Sequence, residues 1–365
     1  MTPDPHDDDR VPEPGSDEGH ERGRPKPRRR GLRIALAAVL VLLLAGGGTV
    51  FWLYSRLDGN IKSVDIDRAL GKNRPEKLPT SGQNLLVLGS DSRAGTENRE
   101  LGGGGRVGGA RSDTTMVVHI PEGRTEAVAV SIPRDTLVTR PACARADGST
   151  MPSAHRVMFN SVYSQAGPAC VVKTVEKMSG VRIDHYLEID FAGFKDLVDA
   201  IGGVTVDVDE PIHDTVSGLD LAAGPQRLDG ATSLAYVRTR YGIGDGSDLG
   251  RIGLQQRFLL ALLGEIRSRD LLGSPATTYR IADSATGSLT TDKGLASLKS
   301  LTEFARSLKG VDSASMETIM LPVAYDKRDP NRVVAAQPRA DALWKAIRAD
   351  TTIPASAKKS PATGG

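Results

Sequence analysis

Apolar residues are distributed along this chain in distinct patterns, each predicting a different kind of structure. Over 34–54 they run without a charged residue, long enough at ~1.5 Å per residue to cross a hydrocarbon core of roughly 30 Å as one helix. Beyond it come short runs closed by glycine or a polar turn. Residues 84–89 (Asn-Leu-Leu-Val-Leu-Gly) read as a strand buried on both faces, followed by strands at 114–120 and 126–132. Helical spacing marks 156–165, 171–178 and 191–201, with strands at 185–189 and 204–208 between and after them. A short helix from 230 runs into an extended segment ending at Arg240, and 251–269 is the longest amphipathic helix. A helix at 294–309, a strand at 317–321 and a helix at 339–348 complete the pattern. Strands and helices are interspersed, which predicts an α/β fold: one three-layer α/β/α domain with a mixed central sheet, preceded by one transmembrane helix.

Composition divides the 365 residues further. Residues 1–30 are proline-rich, charged and almost without large apolar side chains, so they cannot offset the entropy of ordering and read as a disordered cytoplasmic tail. Then follow the transmembrane helix at 34–54, an extracytoplasmic stalk at 56–83 with an amphipathic stretch near 61–70, the folded domain at 84–350 and a disordered tail at 351–365. The net charge of +2 averages an acidic stretch, from Asp7 to Glu21, with a basic one, from Arg22 to Arg33, and says nothing by itself about partners. The basic run ahead of the apolar helix, against mixed charges after it, orients the N-terminus to the cytoplasm and the C-terminal domain outward. Trp52 and Tyr54 then fall at the outer interface. Cleavage as a signal peptide near Ala45-Gly46-Gly47 is the competing reading; the apolar run past that point and the long segment before it favour an uncleaved anchor. The same basic run serves as a topology signal, aided by anionic membrane lipid, and gives no support to nucleic-acid binding. Cys143 and Cys170 lie on the oxidising side at a spacing that matches no zinc or redox motif, so they read as a disulfide, with two buried thiols as the alternative.

The candidate chemistry lies in short motifs after the apolar segment: Gly89-Ser-Asp-Ser-Arg93, Arg111-Ser-Asp-Thr114, Ile132-Pro-Arg-Asp135, Arg182-Ile-Asp-His-Tyr186, Tyr236-Val-Arg-Thr-Arg240, Asp245-Gly-Ser-Asp248 and Gly250-Arg251. Arginine offers a planar, permanently charged fork that matches phosphate oxygens, so a gathering of arginines at strand ends suggests a site for a multiply charged anion. Aspartates among them would repel that anion unless a divalent cation, Mg²⁺ (or Mn²⁺), bridges carboxylate and phosphate. Asp91 and Asp113 are the candidate metal ligands; turn and cap chemistry is their bland reading. Arg93, Arg111, Arg134, Arg238, Arg240 and Arg251 are the anion-binding candidates, of which Arg93 and Arg111 read equally as partners of a nearby aspartate. Arg238 and Arg240 lie two apart, which on an extended backbone sends both to one face. Asp248 either accepts the proton of an incoming hydroxyl or orients Arg251. Gln255, one helical turn after Arg251, either donates to a phosphate oxygen or hydrogen-bonds nearby backbone. The glycines at 102–105, 108 and 109 lack the Gly-Lys-Ser/Thr of a phosphate loop, the six histidines show no zinc spacing, and no Gly-x-Ser-x-Gly elbow occurs.

In this order the motifs resemble the LytR-CpsA-Psr family of cell-wall glycopolymer transferases. The likeness runs from about Asn84 to Leu263 and includes the stretch from Gly180 to Phe194, the segment Gly202-Gly-Val-Thr-Val206 and the Gln255-Gln256 pair, with no departure at the charged positions. It implies a membrane-anchored extracytoplasmic domain that accepts a polyprenyl-pyrophosphate-linked glycan and transfers it to peptidoglycan. On that reading the arginines and Mg²⁺ hold a pyrophosphate, Arg134, Arg251 and Asp248 act at the reacting centre, and an apolar channel holds the lipid. A polyprenyl-pyrophosphate hydrolase, and a non-catalytic envelope lipid-binding or regulatory protein, are the alternatives.

Overall fold

The computed structural model describes residues 29–358 except 91–111, 124, 146, 241–247, 269–273 and 309. The chain divides into two units, Met1–Trp52 and Leu53–Gly365. The first holds most of helix α1 (Arg29–Asn60), whose Leu36, Leu40, Leu43, Leu44 and Phe51 are all exposed. By length and composition this helix can cross a membrane. It runs two turns beyond the predicted end at 54, so that Leu57 is buried within the second unit.

The second unit is built on a seven-stranded sheet. Its strands are β1 (Lys62–Val64), β2 (Gln83–Ser90), β3 (Ser112–Ile120), β4 (Ala127–Ser131), β5 (His185–Asp190), β6 (Leu289–Asp292) and β7 (Met316–Met320). In space they lie in the order β1-β6-β5-β2-β3-β4-β7. The pairs β1/β6, β5/β2 and β4/β7 are parallel and the others antiparallel, so the sheet is mixed as expected. The helices are α2 (Ile66–Leu70), α3 (Phe159–Ser179), α4 (Phe191–Ala200), α5 (Gly230–Arg238), α6 (Asp248–Ser268), α7 (Pro275–Ser288), α8 (Leu298–Ser307), α9 (Arg339–Arg348) and α10 (Ala355–Lys358).

The continuous apolar run of β2 has the physical cause read from it, since both of its faces are covered. Leu86 and Leu88, with Val117, Val130 and Tyr186, pack against α3 and against Leu343, Trp344 and Ile347 of α9. Leu85 and Val87, with Val118 and Leu187, meet Leu259 of α6 and Phe304 of α8. This makes the three layers. A third cluster joins Val198 of α4, Tyr236 of α5 and Leu254 and Phe258 of α6 to the hairpin of Val204–Val208 with Gly224–Leu228. Gly202 and Gly203 lead into that hairpin at φ of 83° and 91°, a backbone that side-chain-bearing residues rarely adopt.

Helix α3 breaks at Ala166–Gly167, where Gly167 takes φ 73° and Pro168 restarts the helix, which accounts for two helices in the apolar pattern. A disulfide joins Cys143 to Cys170 with Cα atoms 5.6 Å apart, tying the hairpin of Leu137–Arg140 with Ala154–Met158 to α3. Residues 154–158 are thus strand, although the helical pattern was read from 156.

Residues 56–83, set apart above as a stalk, are instead built into the domain. Lys62–Val64 forms the parallel edge strand beside β6, and Ile66 and Leu70 enter the main core. Arg74 and Glu176, both buried, form a two-point pair, with Arg74 Nη2 2.6 Å from Glu176 Oε1 and Nε 3.0 Å from the same oxygen. Arg74 also donates to the Ile183 carbonyl at 2.6 Å, while Ile183 N–H donates to Glu176 Oε1 at 3.0 Å. Such a pair is costly to break, because burial leaves Glu176, among the described residues, without another charge partner and Arg74 with only exposed Asp67.

Candidate active site

The ends of three strands converge where β2 finishes at Ser90. There β5 lies alongside with Ser90 opposite Asp190, and antiparallel β3 enters with Thr114 opposite Gly89. The chain leaves β4 at Ser131, and Ile132 N–H donates to the Thr115 carbonyl at 2.9 Å, so the segment that follows stays beside the start of β3. Arg134 is therefore held across from Asp113. Its backbone is fixed by hydrogen bonds from Asn160 N–H to the Arg134 carbonyl (3.0 Å) and from Phe159 N–H to the Thr136 carbonyl (2.9 Å), both from the start of α3.

Two cations meet at Asp113. Arg134 Nη1 lies 2.9 Å from its carboxylate Oδ1, and Arg251 Nη2 donates to its backbone carbonyl at 3.2 Å. Arg251 stands in the first turn of α6 and is buried, at 4% exposure, whereas the Arg134 side chain is 18% exposed. The next turn of α6 fastens the helix to the same end of the sheet: Gln256 Nε2 donates to Ser131 Oγ at 3.1 Å. Gln255 Nε2 donates to the Val237 carbonyl at 3.1 Å, a bond to nearby backbone.

Arg238 and Arg240 do not share a strand face. Helix α5, capped at its start by Asp229, continues through Arg238, and extended Thr239 ends it. The Arg238 guanidinium lies 4.6 Å from the Phe191 ring centroid, a cation–π contact at the residue following Asp190. Gln255 ties the adjoining Val237 to α6 one turn from Arg251, so Arg238 belongs to the same neighbourhood. Arg240 follows the cap, its N–H donating to Asp214 Oδ2 at 3.2 Å.

Of the remaining candidates, Asp91, Arg93 and Arg111 lie outside the described residues, as does the side chain of Asp248, the first residue of α6. Among the described residues no three or more of His, Cys, Asp and Glu gather as a metal cluster. The motif Arg182-Ile-Asp-His-Tyr186 belongs to the opposite end of the sheet. There Asp184 accepts from Asn84 N–H at 2.9 Å, Asn84 Nδ2 donates to the Arg182 carbonyl at 3.0 Å, and Asn84 Oδ1 faces His119 Nδ1 at 2.9 Å. It sets strand register and is remote from Asp113.

Beneath Ser90 lies a polar group that the sequence did not disclose. Buried Glu188 accepts from Tyr163 and Tyr186, each hydroxyl 2.6 Å from a carboxylate oxygen. Burial, then the neighbouring Glu188 charge, push both tyrosine hydroxyls well up, so they remain proton donors. Asp135 was also missed as an actor, although it adjoins Arg134; its Oδ2 lies 3.7 Å from Arg134 Nε. Residue type in an extended motif does not reveal which neighbour a carboxylate turns toward.

Arginines gathered at the end of a mixed sheet that is covered by helices on both faces mark this as a layered α/β domain with a cationic strand-end site. Residues 53–349 match the LytR_cpsA_psr family, and the chain belongs to it. It is 35% identical over 321 residues to the probable cell wall biosynthesis protein LcpB of Corynebacterium glutamicum, covering 87% of this chain and 72% of that one. It is 29% identical over 281 residues to the polyisoprenyl-teichoic acid–peptidoglycan teichoic acid transferase TagU of Enterococcus faecalis, covering 76% and 84%. Among solved structures, the LytR-Csp2A-Psr enzyme from Actinomyces oris superimposes with a TM-score of 0.57 at 25% identity, covering 79% of this chain and 95% of that one.

Proposed function

We propose that the protein is a membrane-anchored phosphotransferase that moves a glycopolymer from a polyprenyl-pyrophosphate carrier onto peptidoglycan through a phosphodiester bond. The convergence of Arg134 and Arg251 on Asp113 at the ends of the strands carries this reading. Phosphoryl transfer asks a protein mainly to position the groups and stabilise charge, which fixed guanidinium groups do.

In this reading Arg134, Arg238, Arg240 and Arg251, joined by Arg93 and Arg111, bind the pyrophosphate. A peptidoglycan hydroxyl oxygen attacks the sugar-side phosphorus, the bond from that phosphorus to the bridging oxygen breaks, and polyprenyl phosphate leaves. Asp248, three residues ahead of Arg251 in sequence, is the candidate either to take the hydroxyl proton or to orient that arginine. The carboxylate of Asp113 supplies hard oxygen donors of the kind Mg²⁺ prefers, and with Asp91 it would hold that ion. Bound Mg²⁺ would neutralise phosphate charge. Half-buried Val87, Leu187, Leu259, Phe304 and Leu308, between the sheet and helices α6 and α8, are suited to the polyprenyl chain.

Product analysis tests this. The full-length protein in detergent, given a polyprenyl-pyrophosphate-linked glycan and Mg²⁺, should form a glycan–peptidoglycan phosphodiester and polyprenyl phosphate only when peptidoglycan is supplied. Release of free glycan phosphate irrespective of acceptor would make it a hydrolase. Binding without turnover would make it a lipid-binding protein, and full activity in excess chelator would remove the metal from the scheme.

A further inference from the structure

The ion pairs at Asp113 do not end at Arg134. The Asp135 carboxylate lies between two guanidinium groups, 3.7 Å from Arg134 Nε and 3.6 Å from Arg332 Nη1. Negative and positive charges thus alternate from Asp113 through Arg134 and Asp135 to Arg332. Arg332 ends this row and is 29% exposed.

Its position is fixed by backbone. Arg332 N–H donates to the Asp329 carbonyl at 2.9 Å, and its own carbonyl accepts from Asp326 N–H at 2.9 Å. The hairpin that carries it, Val323–Tyr325 paired with Val333–Ala335, is bound to the segment after Arg134 by Val333 N–H donating to the Asp135 carbonyl at 3.3 Å. Arg156 grips the hairpin turn through both oxygens of Asp326, at 3.2 and 2.7 Å, from a left-handed backbone with φ 55°. These contacts hold the hairpin; the Arg332 side chain adds a hydrogen bond from Nη1 to the adjacent Asn331 carbonyl at 3.0 Å, while its ion pairs to Asp135 and Asp329, at 3.6 and 3.8 Å, exceed hydrogen-bond length. Partly exposed pairs of that kind contribute little to stability. Its backbone is fixed while its partly exposed guanidinium holds both carboxylates beyond hydrogen-bond length, which suits it to a carboxylate ligand.

We propose that Arg332 is an acceptor-side binding residue that takes a peptide carboxylate of the peptidoglycan acceptor. The inference rests on the transfer reading above. In-line displacement requires the hydroxyl to approach opposite the departing lipid phosphate, and Arg332 extends the charged row beyond Arg134. Guanidinium and carboxylate match as planar forks, and the peptide stems of peptidoglycan carry carboxylates.

The probe is a soluble disaccharide–peptide fragment of peptidoglycan, titrated into the full-length protein in detergent, beside the same disaccharide stripped of its peptide. The parent should bind the peptide-bearing form at least tenfold more tightly. Arg332→Ala should abolish that preference, and Arg332→Lys should restore part of it. Affinity for polyprenyl pyrophosphate, measured in parallel, should move by less than about twofold, as a charge-assisted bond of about 1.5 to 3 kcal/mol is lost on the acceptor side alone. A parent without the preference, or an Arg332→Ala variant that keeps it, would overturn the assignment. So would a variant that loses lipid and fragment together, for Arg332 would then act through Arg134. Transfer itself is judged by products, so either reading can fail alone.

Discussion

Arg251 is buried whereas Arg134, Arg238 and Arg240 are only half-buried, and this difference decides what alanine should do at each. Each substitution should cost about ten- to a hundred-fold in rate at limiting lipid-linked substrate, from the loss of a charge-assisted bond of about 1.5 to 3 kcal/mol. Arg251→Ala should also lower the urea midpoint, because it empties a packed position and leaves the Asp113 carbonyl without that donor. The other three should unfold like the parent. Four variants with parental kinetics would show that none of these arginines serves the substrate. At this scale much of the candidate site was legible, since arginine and aspartate beside strand ends pointed to Asp113 and Arg134, and the motif opening the long helix pointed to Arg251. Arg332 was not, for it lies in a charged turn nearly two hundred positions from Arg134, and only tertiary packing brings both to one carboxylate. Asp184 misled for the complementary reason: its carboxylate serves a neighbouring backbone N–H.

Among elements, long apolar runs and long amphipathic helices were readable because burial on two faces, or on one stripe, imposes a period. The two- and three-residue strands were not, being too short to show alternation. Edge strand β1, the Ile212–Asp214 hairpin and the Val323–Ala335 hairpin are of this kind. The last owes its place to side chains, which makes it sensitive to acid. Hydrogen bonds from Arg156, opposed by burial and reinforced by the N–H groups of Arg328 and Asp329, hold the Asp326 carboxyl down to about 2 from an ordinary 3.8. A group depressed in the folded state stabilises fully above its ordinary value and ceases to do so as pH falls through the lowered one. Amide exchange in residues 323–335 should therefore, after correction for intrinsic rates, quicken between about pH 4 and pH 2 ahead of exchange in the central strands. Asp326→Asn should loosen the hairpin already at pH 5. If the two regions lose protection together, the clamp is not the acid-labile contact.

For the whole molecule, orientation across the membrane is the testable property. By the positive-inside rule the basic stretch ahead of the apolar run predicts residues 1–30 in the cytoplasm and Leu53–Gly365 outside. An impermeant thiol reagent on intact cells should label Val216→Cys, whose position is 78% exposed in the second unit, and should reach Ser16→Cys only after lysis. Labelling of both in intact cells would refute the topology.

The sheet also joins distant parts of the chain, and this governs how it can be made. Lys62 in β1 pairs with Thr290, β4 pairs with β7 at 316–320, and buried His119 pairs with Asp350. Pairings of such long range delay folding, because the loops between them must close before any contact rewards the closure. As the chain emerges from the ribosome, β4 waits for a strand nearly two hundred residues later. Through that interval its free edge is the place where the growing sheet is most open to wrong pairing.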